Sequence, residues 1–144
     1  MSPAQEHAFL DEQRTIICAT NGAGGWPHLM PLWYVLRGDE LWAWTYGKSQ
    51  KVRNLERDPR ATLQVEAGLQ YAELRGVMIE ARTEIHREPG FVAELGAALL
   101  ARYAGGSPVE INDEIRRQAT KRVALQFLPE RVASWDHRKL AGGY

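Results

Sequence analysis

Cysteine is almost missing from this chain: Cys18 stands alone among 144 residues. A disulfide within the chain is therefore impossible, and a metal site built on cysteines is excluded. Net charge is missing as well. Eighteen Lys and Arg balance eighteen Asp and Glu, which argues against general nucleic-acid binding, where excess positive charge supplies affinity. No apolar run approaches the ~20 residues that span a bilayer. The N-terminus lacks a basic start followed by an apolar segment, so no signal peptide is expected, and a reducing, cytoplasmic setting is the simplest reading. His7, His28, His86 and His137 are scattered and none has metal-ligand spacing. No Gly-x-Ser-x-Gly nucleophile elbow occurs. Cys18 lies in an apolar run and reads as a small core residue.

What remains is ordinary for a globular chain: 44% hydrophobic and 25% charged residues. The length fits one domain over residues 1–144 that can bury a real core. Five tryptophans, Trp26, Trp33, Trp42, Trp44 and Trp135, exceed what such a core needs, so some are candidates for the wall of a flat ligand's site.

The periodicity predicts a short helix over 1–13, then a strand over Thr15–Thr20 and a glycine-rich hairpin loop at Asn21–Gly25. A strand over His28–Leu36 carries Pro31, which removes a ladder donor and places it at an edge, at a bulge or facing a ligand. Gly38-Asp39 turns the chain into Glu40–Thr45, so these strands read as an antiparallel meander. Arg60–Glu66 alternates, and so does a long strand over Tyr71–Arg87, with Gly76 a candidate bulge. Phe91–Tyr103 is an amphipathic helix, and Asn112 caps a short one. Val123–Phe127 and Arg131–Trp135 read as two strands with a turn at Pro129-Glu130. A polar tail over Asp136–Tyr144 follows. The sum is mainly β: six to seven antiparallel strands with three to four peripheral helices, a barrel that leaves no exposed edge.

The organising stretch is Thr45–Pro59. Ser49 is a plausible N-cap, Val52 and Leu55 give a small apolar stripe, and Pro59 ends the helix. Lys48, Lys51, Arg53 and Arg57 are basic. Free N–H groups, the positive dipole end and ammonium donors together suit a phosphate. With no metal or nucleophile motif in sight, chemistry carried by a cofactor is the natural alternative.

Four segments then carry a resemblance. They are Pro27-His28-Leu29-Met30-Pro31-Leu32-Trp33-Tyr34, Lys48 to Ala61 with its Lys-x-x-Asn-Leu-x-x-Asp-Pro-Arg element, Leu74-Arg75-Gly76-Val77, and Ser134-Trp135-Asp136-His137-Arg138-Lys139-Leu140. In this order they resemble the split β-barrel flavin and deazaflavin oxidoreductases related to pyridoxamine 5′-phosphate oxidase. The chain looks most similar to the actinobacterial branch that uses coenzyme F420. The resemblance implies an FMN-binding-type split barrel and a homodimer with cofactor sites at the subunit interface. Lys51 and Asn54, with Ser49, Lys48 and Thr45, would hold the cofactor phosphate. Met30, Pro31, Leu32 and Trp33 would lie along its rings, and Trp135, Arg138 and Lys139 would approach from the partner subunit. The activity implied is hydride transfer from reduced F420 to a small electrophilic, conjugated substrate. An FMN enzyme and a non-catalytic carrier are the alternatives. The surplus cations Lys48, Arg53, Arg57 and Arg60 favour F420, whose tail bears several carboxylates. No catalytic acid stands out; His28 and Tyr34 are the nearest candidates.

Overall fold

The computed structural model describes residues 1–140, so residues 141–144 of the expected polar tail lie outside the described part. Seven strands form one antiparallel sheet: β1 (Ile16–Asn21), β2 (Pro27–Leu32), β3 (Val35–Arg37), β4 (Glu40–Tyr46), β5 (Arg60–Ala67), β6 (Arg75–His86) and β7 (Arg122–Asp136). Their order across the sheet is β2-β1-β5-β6-β7-β4-β3. Four helices accompany it: α1 (Pro3–Glu12), α2 (Gln50–Arg57), α3 (Pro89–Tyr103) and α4 (Asp113–Ala119). The expected mainly-β architecture with peripheral helices is the observed fold. No helix among the described residues is long and apolar enough to cross a membrane.

The chain departs from the predicted meander at Trp33-Tyr34. The single strand expected over His28–Leu36 is two strands on opposite edges: β2 pairs with β1, and β3 with β4. Two edges joined by two residues must meet, so the sheet curls into a barrel. Tyr34 fixes the break. Its side chain is wholly buried, its hydroxyl donates to Leu10 O at 2.6 Å, and its N–H donates to Tyr103 Oη at 2.9 Å. Pro31 sits on the edge strand, where its missing donor costs least.

Two further expectations fail for tertiary reasons. Pro129-Glu130 is not a turn. β7 is one fifteen-residue strand, and its register passes from Glu80↔Arg131 to Ala81↔Pro129, leaving Glu130 as a bulge. A bulge admits a proline that a regular ladder would reject. Gly76, in turn, is not the bulge. A Cβ there would lie 2.3 Å from Trp135 Cζ2, so this glycine makes room for an indole. The strand itself starts at Arg75, after a 3-10 turn at Tyr71–Glu73.

The sheet has two apolar faces. The interior holds Ile16, Cys18, Leu63, Val65, Val77, Leu125 and Phe127, with α2 contributing Val52 and Leu55. On the outer face of β4 and β7, Trp42 and Ala124 pack under Val92, Leu95, Leu99 and Ile115 of α3 and α4. Arg102 of α3 ties down α1: its guanidinium donates to the carbonyls of Leu10, Asp11 and Gln13 and pairs with Asp11. A cation there satisfies carbonyls that the helix end leaves open.

Candidate functional site

Helix α2 begins where β4 ends. Ser49 is the N-cap and accepts from the Val52 N–H at 3.4 Å. Val52 and Leu55 turn into the barrel, as their spacing predicted. The same inward face carries two polar residues. Lys51 is only 6% exposed and Asn54 is 0% exposed. Lys51 Nζ donates to Thr45 Oγ1 at 2.8 Å. Asn54 Nδ2 donates to Thr20 Oγ1 at 3.1 Å, while its Oδ1 accepts from Gln50 at 2.9 Å and Arg57 at 3.2 Å.

This network is rich in donors. No carboxylate pairs with Lys51 among the described residues, and two of its three ammonium hydrogens have no acceptor there. Burial holds its pKa below the ordinary lysine value, partly countered by nearby Cys18. Burial likewise pushes the Cys18 thiol up to about 12, against the pull of Lys51. Asn54 keeps a second amide hydrogen in hand. On β2, His28 sits opposite Thr20, and its Nδ1 is buried without a partner among the described residues. A buried cation and orphaned polar atoms are costly unless something fills them. An anion with several oxygens suits this set, so the residues fit a cofactor phosphate.

Of the residues singled out in the sequence, the fold brings Thr45, Ser49, Lys51 and Asn54 together. Lys48 stands exposed at the entry to α2. Met30 lies opposite Cys18, on the face α2 covers, and is 42% exposed. Leu32 lies opposite Ile16 and belongs to the core. Pro31 alternates to the other face. Trp33 stacks on Tyr103 with ring centroids 4.1 Å apart and planes 6° off parallel. Trp135, Arg138 and Lys139 lie at the other end of β7 from the strand pair that carries Thr45. Trp135 covers Gly76, Arg138 pairs with Asp136 at 2.7 Å, and Lys139 donates to Gln5 at 2.8 Å. One chain therefore does not gather both groups.

The cation surplus is smaller than the sequence suggested. Arg60 grips Asp58 through two hydrogen bonds, and this contact holds the Asp58 carboxyl well below its usual range. Arg57 donates to Asn21 O at 2.5 Å. Tyr34 is also ruled out as an acid, since its hydroxyl is committed to backbone carbonyls in the core. Thr20 is the partner that sequence reading passed over. Its place after Ile16 and Cys18 on the inward alternation of β1 was the available signal.

The family described as pyridoxamine 5′-phosphate oxidase matches residues 2–136. Among curated proteins, none matches. Among solved structures, a conserved hypothetical protein from Mycobacterium tuberculosis is 39% identical, with a TM-score of 0.91 over 100% of this chain and 90% of that one. An F420 reductase shares the fold at 21% identity and a TM-score of 0.72, covering 91% of this chain and 98% of that one. So does an FAD-binding protein from Mesorhizobium loti, at 19% identity and 0.71, covering 93% and 94%. With its split barrel and the donor set at the start of α2, the chain belongs to the pyridoxamine 5′-phosphate oxidase family of flavin-type oxidoreductases.

Proposed function

We propose that this protein binds reduced coenzyme F420 and uses it to reduce a small, conjugated electrophile. The observation that carries the reading is the buried, unpaired Lys51 beside Asn54 at the start of α2. Lys51 supplies the charge for the cofactor phosphate and Asn54 a fixed amide donor. Ser49 and the first N–H groups of α2 orient it, and Lys48 adds charge at the rim. Thr45 holds the Lys51 ammonium in place. Strand β2 runs along the rings: its backbone at Met30, Pro31 and Leu32 meets their polar edge, with the Met30 side chain against them and Trp33 beyond. Bound there, the reduced cofactor supplies the hydride. The chain excludes water around it with the apolar face of β2 and positions the ring edge with strand backbone. The site is completed in a homodimer by Trp135, Arg138 and Lys139 of a second copy.

A second reading is FMN, whose single phosphate needs fewer cations. It is favoured by the engagement of Arg57 and Arg60 inside the chain. Titration of the pure protein with F420, followed by fluorescence quenching, tests the first reading. Saturable quenching at micromolar concentrations that weakens about tenfold or more in Lys51→Ala supports it. A yellow protein that retains FMN and ignores F420 selects the second. Binding of F420 without turnover of any enone or quinone makes the chain a carrier.

A further inference from the structure

A separate cavity lies beside the start of α2. It is a pocket of about 650 Å³ whose lining includes Tyr46, Lys48, Arg87, Lys121, Arg122 and Val123. That volume is within the usual range for small-molecule sites. Its lining carries four cations and no carboxylate, although the chain as a whole is neutral. Its lining adjoins the Lys51 site at Gly47 and Lys48, just before α2, but includes neither Lys51 nor Asn54. Thr45 points into the barrel toward Lys51, so the next residue, Tyr46, points outward. Tyr46 pairs in register with Arg122 of β7.

Arg122 is held in place by its neighbours. Its guanidinium carbon lies 4.3 Å from the ring centroid of Tyr46 and 4.7 Å from that of Trp44. One terminal nitrogen donates to Gln118 O at 3.3 Å. A guanidinium stacked on two rings keeps its remaining edge donors in a fixed plane, which suits the bidentate geometry of a carboxylate or phosphate. Lys48 and Lys121 form no ion pair among the described residues, and Arg87 shares its charge with Glu56 at 3.2 Å. Lys121 and Arg122 also line a neighbouring groove with Arg117 and Glu114, which pair with each other, so the unbalanced positive charge is confined to the pocket itself. Such a concentration of one sign in a cleft focuses field lines and attracts a counter-ion.

We propose that this pocket is a second anion site. It takes a compact organic anion bearing two or more carboxylate or phosphate groups, and it works independently of the Lys51–Asn54 clamp. Arg122 supplies the bidentate contact, Lys121 supplies charge, and Val123 and the Tyr46 ring give the ligand an apolar wall. The chemistry is shared by a free di- or tricarboxylate and by a carboxylate-bearing cofactor tail, and the proposal commits to the free anion.

Isothermal titration of the full chain with citrate and with pyrophosphate, at constant ionic strength, tests it. One saturable site is expected for at least one of the two anions. Its affinity should fall about tenfold or more in Lys121→Ala and in Arg122→Gln. Arg122→Lys, which keeps charge and loses the planar fork, should fall between these and the wild type, which separates a binding effect from misfolding. Lys51→Ala should leave the affinity unchanged. The proposal is overturned if neither anion binds, if Lys121→Ala binds as the wild type does, or if Lys51→Ala abolishes the site. It is also overturned if Lys121→Ala weakens F420 binding while FMN binding stays intact, since the pocket would then serve the cofactor tail.

Discussion

Lys51 shows what a single residue can reveal about a binding site. A lysine is rarely buried, and one left without a carboxylate contributes nothing to stability that methionine could not supply. Lys51→Met should therefore leave the protein equally stable, or up to about 2 kcal/mol more stable, while cofactor affinity falls. Paired urea titrations and cofactor titrations check both halves. A loss of stability with unchanged affinity would make Lys51 a packing residue. The neighbouring Cys18 gives a pH signature. Burial pushes its thiol from the ordinary 9.0 up to about 12. The stability it lends is fully present below pH 9.0 and is lost as pH rises toward about 12, because only the unfolded thiol ionises in that window. Lys51 has the opposite sign: its folded value is depressed below 10.5, so stability rises as pH climbs toward 10.5. In a Lys51→Met background the thiol is the first of these groups to act, and urea midpoints should drop as pH rises from 9.0 to about 10, below the range in which the buried Tyr34 hydroxyl, raised from 10.0 to about 12, adds its own loss. Adding Cys18→Ala should flatten that drop. At this scale the sequence was informative about identity and silent about depth. The residues Ser49, Lys51 and Asn54 could be picked out, but their burial, and the role of Thr20 beneath Asn54, depend on where α2 lands.

Elements were legible where the pattern is local. The alternation of β5 and β6 and the caps of α2 and α4 follow from residues within a few positions of each other. The failures share one cause, which is that a strand's partner is not written in its own alternation. Nothing between His28 and Leu36 says that its halves belong to opposite edges; that is decided by Tyr34 reaching the carbonyl of Leu10. Pro129 reads as a turn until β6 is known to run alongside. Two glycines illustrate how elements dock. A Cβ on Gly96 of α3 would lie 2.3 Å from Trp44 Cζ3, whereas one on Gly24 would meet nothing within 4 Å. Gly96→Ala should push α3 off β4 and cost about 1–3 kcal/mol, as overpacking does. Gly24→Ala should be close to neutral. Chemical denaturation of the two variants compares them directly, and equal midpoints would mean that α3 can shift to accommodate the methyl group.

At the scale of the whole molecule, the separation of the two halves of the expected site makes a prediction. Lys51 and Arg138 are held at opposite ends of β7, so a site using both needs two copies. Light scattering should give a mass about twice 16.3 kDa. Mixing is the sharper experiment. Lys51→Ala and Arg138→Ala homodimers should each bind cofactor weakly. Co-refolded at equal amounts, they should recover about a quarter of the sites at wild-type affinity, because each mixed dimer has one site with both residues intact. No recovery would place Arg138 outside the site.

The position of β7 has a consequence for how the molecule comes into being. It is the last strand in the chain yet lies between β6 and β4 in the sheet. Before it is added, the remaining strands form two separate sets, β2-β1-β5-β6 and β4-β3, with no ladder between them. A chain emerging from the ribosome thus carries two unsealed edges until Arg122–Asp136 has been made. Folding is then governed by closure over a large sequence separation, which is slow compared with local hairpins. Until that last strand arrives, the edges of β6 and β4 are open to any other extended chain, and synthesis is the period when this protein is most exposed to aggregation.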